Sequence, residues 1–256
     1  YNLSQKDFSL ILGWGEVTVL RYEVKSIQDQ TYDYIIRLFN EDLNFALERL
    51  ESAKDKISNE KYESVKKQLI EEIKLNANLR LNEKELKNIY LDFNKENEFN
   101  GYTLLDINKL KNIIAFFAHN VKGLFLVKLM KLLWYCDVRS YLKSGKSITG
   151  LVYQNMPLGA LPKGYRYFTN FDTVIVEDEV FLNCNKGISI KPNPDIKLDL
   201  SCLTSDEISI INEIANAFKN HTGSQLSELM HQEDAYKKTK TGELIPFNII
   251  EKLKGI

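Results

Sequence analysis

The chain has 256 residues, of which 44% are hydrophobic and 27% are charged. This composition excludes a disordered chain, and the length suffices for one large domain or two ordinary ones. The 35 acidic residues balance 34 basic ones, which excludes a general polyanion binder. Any contact with nucleic acid must therefore come from a local arrangement of charge.

The cysteines and the apolar segments indicate a cytoplasmic protein. Cys136, Cys184 and Cys202 are odd in number and scattered, so they form neither a disulfide framework nor a CxxC metal pair. The most apolar window, 123–136, contains two lysines and is too short to span a bilayer, which predicts a buried helix. No signal-peptide pattern opens the sequence, and we expect no membrane partner.

The first predicted elements are two short helices separated by Gly-Trp-Gly. Ser4 is a suitable N-cap for a helix that continues to Leu12 and has apolar residues at three- and four-residue spacing. The glycines at 13–15 end this helix, and a second helix is predicted from about Glu16 to Val24. Two helices joined by a tight turn are the pattern of a helix–turn–helix, whose second helix lies in the major groove of DNA.

The sequences LSQKDFSLILGWGE, RYE and SIQDQTYD, which continue to Asp33, resemble the Xre-type helix–turn–helix and, more closely, the DNA-binding half of MqsA-like antitoxins. The resemblance implies another helix before this stretch, and MqsA-like chains often carry a zinc-binding N-terminal part. We therefore expect upstream sequence to be missing here. The predicted DNA-binding residues are Gln5, Glu16, Val17, Thr18, Arg21 and Lys25.

Several residues of this stretch depart from the resemblance. The family usually has a polar or basic residue at the position of Val17, a small polar one at Leu20 and glycine at Lys25. Residues 1–27 contain three basic and three acidic residues, so this stretch has no excess of basic side chains with which to bind phosphate. The alternative interpretation is a helix–turn–helix that is kept as a scaffold or dimerisation unit without reading DNA.

The middle of the chain is predicted to be helical. A helix from Thr31 to about Lys56 completes a first domain at 1–56, and its leucines either cover the core of that domain or extend into a two-fold interface of a homodimer. Charged connecting helices follow at 57–101, where Asn82 and Glu85 form a capping box for a separate helix. An asparagine-rich linker ends this segment.

The second half, 102–256, differs from the first in its pattern of apolar, glycine and proline residues. Long apolar helices are predicted before and after a segment rich in glycine and proline. Residues 172–183 are predicted to form a β-hairpin with strands 174–176 and 180–182 about a turn at Asp178-Glu179. Thr204 and Glu207 form a capping box for a later helix. The predicted fold class is mainly α (α+β), with one small antiparallel β-hairpin.

From about Asp106 onward the chain resembles the Panacea, or SocA-like, antitoxin domain. The resemblance lies in LVKLMKLLWYCDVRSYLKSGKSITGLVYQNMPLGALPKGY, in LTSDEISIINEIANAF and in SQLSELMHQEDAYKKT. It departs from the family at LGALPKGY, where many members have a compact Gly-Pro-Val, and at Tyr236, which replaces a common Trp. The resemblance implies an antitoxin that neutralises a protein toxin by direct binding.

A surface that binds a toxin needs exposed aromatic and apolar anchors within a polar rim. The predicted toxin-binding residues are Tyr153, Met156, Leu158, Tyr165, His231 and Tyr236. The alternative is that the Gly/Pro-rich loop folds onto the helix predicted at 124–142 and fills the core, and we favour this alternative for most of the loop. For Met156, Leu158 and Tyr165 the two interpretations are evenly balanced.

His231 is also considered as a general acid or base paired with Asp137 or Glu233. A lone histidine at a helix end more often has a structural hydrogen bond. The sequence contains no HExxH, no Ser/His/Asp spacing, no GxGxxG and no Walker loop, and its histidines and cysteines do not cluster as metal ligands. We therefore expect no enzyme activity, no cofactor and no metal.

The sequence predicts an antitoxin that binds a protein toxin through its C-terminal domain and represses its own operon through the helix–turn–helix, as a homodimer. Two alternatives remain: a transcriptional regulator without a cognate toxin, and an adaptor that delivers a partner to a protease.

Overall fold

A computed structural model describes residues 1–24, 30–180 and 186–255. The chain forms two compact units, Tyr1–Arg80 and Leu81–Ile256, so the division falls within the segment that was predicted to connect two domains. Helices predominate, and the described β-structure consists of two short antiparallel hairpins. The predicted mainly helical fold with a small β-hairpin is confirmed.

The helices of the first unit are short except for the last, which continues past Arg80. They are α1 Gln5–Ile11, α2 Thr18–Val24, α3 Gln30–Glu41, α4 Leu43–Ser52 and α5 Asn59–Ile89.

The first two helices are joined through a buried serine. The side chain of Ser4 caps α1 by accepting a hydrogen bond from the backbone of Asp7, as predicted. Ser9 Oγ donates to the carbonyl of Gln5 (2.8 Å) and accepts from the N–H of Val19 (3.1 Å). Because Ser9 is completely buried, these two bonds fix α2 against α1.

The segment predicted to be helical from Thr31 to about Lys56 forms two helices that are separated by Asp42. The Asp42 carboxylate accepts hydrogen bonds from the N–H groups of Asn44 and Phe45. An aspartate that satisfies the free N–H groups of a following helix favours a new N-terminus over continuation of the old helix.

The helix predicted to start at Asn82 is wrong, because α5 is continuous through that position. Asn82 is buried, and its amide donates to the carbonyl of Tyr167 (3.0 Å). Its side chain is therefore engaged by a distant segment and does not cap a helix. In the first unit, the buried face of α5 consists of Tyr62, Val65 and Leu69.

The second unit surrounds one central helix. Its elements are α6 Ile107–Asn120, α7 Leu126–Ser144, β1 Tyr153–Met156, β2 Gly159–Pro162, β3 Val174–Val180, β4 Lys186–Pro192, α8 Ser205–Phe218, α9 Gly223–Gln232 and α10 Asp234–Lys238.

Helix α7 forms the centre of this core. It is buried on most of its circumference, and it packs against α8, α9 and β2. Trp134 meets the ring of Tyr153 edge to face, with 5.0 Å between the ring centroids. Gly145 ends the helix in the left-handed conformation (φ 76°), as predicted from its position. Full burial of each large apolar side chain contributes about 1.5–3 kcal/mol, so the buried residues of α7 contribute substantially to the stability of this unit.

The predicted β-hairpin is present, but Asp178 and Glu179 lie within a strand and do not form its turn. Strand β3 continues through Asp178 and Glu179 and pairs with β4, where Asp178 lies opposite Ile188. Pairing with the strand after residue 185 extends β3 past the polar residues that suggested a turn. Phe181 and Leu182, which were predicted to form the second strand, lie outside the described residues. The hairpin of β1 and β2 was not predicted.

Candidate partner-binding site

A buried carboxylate ties the segment that leads into β1 to helix α7. Asp137 Oδ1 accepts hydrogen bonds from the N–H groups of Ile148 (2.9 Å) and Thr149 (2.8 Å). Its Oδ2 accepts from Thr149 Oγ1 (2.5 Å) and from the hydroxyl of Tyr153 (2.7 Å). Burial raises the pKa of Asp137, although its hydrogen bonds lower it. A buried carboxylate with all these hydrogen bonds fixes the backbone of the segment after α7 in one conformation.

Tyr153 was predicted to contact a partner, but the structure places it inside the protein. Its side chain is completely buried, against Trp134 and Phe247, and burial raises the pKa of its hydroxyl well above the usual range. We therefore remove Tyr153 from the candidate surface. The alternative interpretation, in which the loop fills the core, holds for this residue because its hydroxyl finds an acceptor on α7.

Strand β1 leads into a tight connection to β2, and we call residues 156–160 the 156–160 turn. Three side chains from other elements donate to three carbonyls of this turn. Tyr236 Oη donates to Met156 O (2.8 Å), and Lys131 Nζ donates to Ala160 O (3.1 Å). His231 Nε2 lies 3.0 Å from Pro157 O, which requires the proton to be on this nitrogen. The turn is thus supported by α7, α9 and α10.

The apex of the 156–160 turn presents a hydrophobic side chain to solvent. Leu158 is 60% exposed, while its neighbour Gly159 is buried. Gly159 has φ +103°, and an added Cβ would lie 2.7 Å from Met230 Cγ and 2.9 Å from Lys131 Cε. A glycine is therefore required beneath the apex for both conformational and steric reasons.

Lys131 contributes a buried amine to this arrangement. Its side chain is almost completely buried, and loss of hydration lowers the pKa of the amine to about 7. Lys131 is one of the two lysines in the apolar window 123–136, and the sequence alone suggested no role for it. Its presence in the most apolar helix was the signal, because a lysine in such a place needs an acceptor from elsewhere in the fold.

His231 has a structural hydrogen bond and is not paired with a carboxylate of any residue that the structure describes. Its ring stacks on Tyr236 at 5.0 Å between centroids, and its recorded partner is the carbonyl of Pro157. The hydrogen bonds of Asp137 go to the segment 148–153. Glu233 accepts from the hydroxyl of Tyr135 and from the backbone N–H groups of residues 254–255. The favoured interpretation of His231 as a structural hydrogen-bonding residue therefore agrees with the structure, and the alternative of an acid–base pair with Asp137 or Glu233 does not.

Glu233 has a structural environment of its own. Its carboxylate accepts from the N–H groups of Lys254 (3.1 and 3.2 Å) and Gly255 (3.2 Å). Burial raises its pKa, with the backbone hydrogen bonds acting in the opposite direction. These hydrogen bonds hold residues 254–255 beside the N-terminal end of α10.

The structure brings together four of the six residues predicted to bind a toxin: Met156, Leu158, His231 and Tyr236. Tyr165 lies on the 3₁₀ helix Tyr165–Asn170, half-buried against the core. Among the four, Leu158 is the exposed apolar group, while the other three are half-buried. The candidate site is therefore a supported turn with one hydrophobic side chain at its apex.

The residues predicted to bind DNA lie in the first unit. Gln5 donates to the Glu23 carboxylate, and Glu16 forms an ion pair with Lys6 at 3.0 Å. Thr18, the first residue of α2, is half-buried. These pairs leave little positive charge at the start of α2.

The remaining two predicted positions that the structure describes are exposed. Val17 lies in the turn before α2, and Arg21 lies within the helix. Lys25 lies outside the described residues.

Within residues 1–24, 30–180 and 186–255, no group of three or more His, Cys, Asp or Glu side chains is placed to hold a metal ion. No helix among the same residues is long and apolar enough to cross a membrane.

Comparison with known proteins supports one of the two resemblances. The chain matches none of the curated proteins and none of the solved structures with which it was compared. One family model matches, and it covers most of α7, the 156–160 turn, His231 and Tyr236. Residues 129–237 of this chain are similar to the family described as antitoxin SocA-like, Panacea domain.

Proposed function

We propose that this chain is an antitoxin that binds and neutralises a protein toxin through its second unit. The observation that carries the proposal is the similarity of residues 129–237 to the antitoxin SocA-like, Panacea domain. The mechanism is occlusion: the antitoxin covers a surface that the toxin needs, and no bond is made or broken. We assign no catalytic residue.

The 156–160 turn is the proposed contact surface. A side chain that is already held in its bound conformation binds with less loss of conformational entropy than a mobile one. Leu158 meets this condition, because side chains on both sides of it hold the turn by hydrogen bonds to Met156, Pro157 and Ala160. An apolar anchor of this kind fits a hydrophobic pocket on a partner.

The gene adjacent to that of this chain is the candidate source of the toxin. We would express the adjacent gene alone in a bacterial host, and then together with this chain. The proposal expects growth arrest by the adjacent product, relief of the arrest by this chain, and a stable complex of the two purified proteins. A harmless adjacent product would contradict the proposal and favour a transcriptional regulator without a toxin.

The protease-adaptor alternative makes a different prediction about the partner's lifetime. A blocking antitoxin leaves the half-life of its toxin unchanged or lengthens it, whereas an adaptor shortens it. Measuring the half-life of the partner with and without this chain, after synthesis is stopped, separates these two functions.

Operator binding and autorepression remain predictions for the first unit. The two helices and their turn favour them, together with the exposed guanidinium of Arg21. The acidic Glu16 and Glu23 weaken them, because like charge repels phosphate. Fluorescence anisotropy with the chain's own promoter and a scrambled duplex, at several salt concentrations, tests them; Arg21→Ala is expected to reduce the salt slope by about one.

A further inference from the structure

The outward face of α2 is an apolar stripe. Val17, Leu20 and Val24 are 58%, 42% and 62% exposed, whereas Val19 on the opposite side is buried. Val17 is in the turn directly before α2, and its carbonyl accepts from the N–H of Arg21 (3.0 Å), so Val17 is the N-cap residue of this helix. The three- and four-residue spacing places the exposed side chains on one face. Aliphatic groups in such a row are typical of a helix that packs against another helix.

The residue types fit a two-stranded parallel pair. In heptad notation Val17 and Val24 occupy a positions and Leu20 occupies the d position. A β-branched residue at a with leucine at d is the combination that favours two parallel strands. A parallel pair about a two-fold axis brings each of these residues to its own counterpart, as an interface between identical surfaces requires.

The flanking charges are complementary in the same arrangement. Glu16 lies in the turn two residues before α2, where continuing the heptad backward gives a g position, and Arg21 occupies the following e position of the helix. Parallel pairing places g of one helix beside e of its partner, so Glu16 would meet Arg21 twice across the axis. Within the residues that the structure describes, the Arg21 side chain has no recorded ion pair, and it is exposed.

The existing pair between Glu16 and Lys6 does not prevent this contact. Both side chains are more than half exposed, and an exposed ion pair contributes little to stability. The Glu16 carboxylate therefore remains available to a second cation.

DNA is a poorer occupant of this face. Base edges are read mainly by hydrogen bonds, which Val17, Leu20 and Val24 cannot make with their side chains. Glu16, directly before α2, and Glu23, near its C-terminal end, would also repel the phosphates. The face is thus better matched to protein.

We infer that α2 pairs in parallel with α2 of a second copy of this chain, and that this contact makes a homodimer. The inference goes beyond toxin neutralisation and does not depend on it. The stripe is much smaller than the roughly 800 Å² per partner of a standard stable interface. The dimer is accordingly a weak one that dissociates on dilution.

The first experiment measures the mass of the full chain by sedimentation velocity over a wide range of concentrations. Wild type is expected to pass from monomer to dimer, and Leu20→Asp is expected to stay monomeric. Leu75→Asp is the matched control, because Leu75 is a similarly exposed leucine of α5 in the same unit, and it is expected to associate as wild type does. A wild type that is monomeric throughout overturns the inference, as does equal association of Leu20→Asp.

Charge exchange then tests the direction of pairing. Glu16→Arg and Arg21→Glu are each expected to weaken self-association, because each places like charges across the axis. Mixing the two variants restores both cross-pairs, so the mixed dimer is expected to be at least about tenfold tighter than either variant alone. A mixture that is no tighter than its components overturns the parallel arrangement.

Cysteine crosslinking tests the contact without charged substitutions, should the others perturb folding. Leu20→Cys places the thiols at equivalent d positions, so oxidation is expected to give a covalent dimer. Glu23→Cys, on the flank, is expected to crosslink much less, and wild type gives the background from the natural cysteines. Equal crosslinking of both variants overturns the inference. So does the finding that Leu20→Asp abolishes duplex binding but not self-association.

Discussion

Lys131 Nζ lies 3.1 Å from the carbonyl oxygen of Ala160, and both residues are buried. Burial removes most of the water around the Lys131 amine, and the amine donates a hydrogen bond to the turn that carries Leu158. Such a contact makes the stability of the protein depend on pH in a defined direction.

The first prediction concerns this pH dependence. The unfolded chain keeps the Lys131 proton up to a pKa near 10.5, whereas the folded chain releases it at about 7. Between these values the unfolded state binds more protons, so the free energy of unfolding rises with pH, by up to about 1.4 kcal/mol per pH unit for this group. Lys131→Met is expected to lose this contribution.

Urea denaturation of wild type and Lys131→Met at about pH 7 and about pH 9 measures the contribution as a difference, which cancels the other titrating groups. Lys143→Met, at an exposed position of the same helix, is the control and is expected to keep the wild-type dependence. Identical pH dependence in Lys131→Met and wild type would contradict the prediction.

The second prediction concerns the buried carboxylate of α7. Asp137→Ala removes the acceptor of four hydrogen bonds and is expected to destabilise the chain by about 3–5 kcal/mol. Tyr153→Phe removes one of the donors and is expected to cost about 1–2 kcal/mol. Equilibrium denaturation measures both, and a smaller loss for Asp137→Ala than for Tyr153→Phe would show that the network does not fix the segment.

The third prediction concerns the glycine beneath the apex. Gly159→Ala places a methyl group 2.7 Å from Met230 Cγ at a positive φ, and we expect a loss of at least about 2 kcal/mol. Gly123→Ala is the control: it also has positive φ, but its added Cβ meets nothing within 4 Å. It is expected to show only backbone strain, about 1 kcal/mol. Equal losses of thermal stability in the two variants would refute the steric argument.

The fourth prediction concerns the proposed contact with a toxin. Leu158→Asp is expected to weaken toxin binding at least about a hundredfold, because an interface centre does not tolerate an unpaired charge. Its thermal stability is expected to be unchanged, since Leu158 is largely exposed. Leu104→Asp, at another exposed leucine of the same unit, is the matched control and should bind normally.

The fifth prediction concerns the supports of the same turn. Tyr236→Phe removes the hydroxyl that donates to Met156 O while it retains the ring beside His231. We expect toxin binding to weaken about threefold to tenfold, because the turn loses one of the hydrogen bonds that hold its conformation. We expect little change in the free energy of unfolding, because the substitution exposes no buried apolar side chain. A titration by calorimetry checks this, and wild-type affinity would show that preorganisation of the turn is unimportant.

Local signals in the sequence predicted most helix ends. Ser4, Thr204 and Gly145 act where they were expected, since capping depends on groups a few residues apart. The same local reasoning failed at Asn82 and at Asp178. Both are polar residues that suit an end or a turn, and both are held within longer elements by partners distant in sequence.

The candidate site follows the same division. The apolar side chains of the Gly/Pro-rich loop suggested Met156 and Leu158 as contacts with a toxin, and the family resemblance suggested His231 and Tyr236; all four stay predictions. Only the tertiary structure separated Leu158, which is exposed at the apex of the turn, from Tyr153, which is buried in the strand that leads into it. It also added Lys131, because a hydrogen bond across 29 residues leaves no spacing pattern in the chain.

The sequence by itself therefore determined the mainly helical class and the helix ends at Ser4, Thr204 and Gly145, because these depend on hydrophobic periodicity and on neighbouring backbone groups. The tertiary structure decided which apolar side chains stay in water and which carbonyls the buried Lys131 and the half-buried His231 and Tyr236 support. Burial and long-range hydrogen bonds are properties of packing, and packing is fixed only when segments distant in the sequence meet.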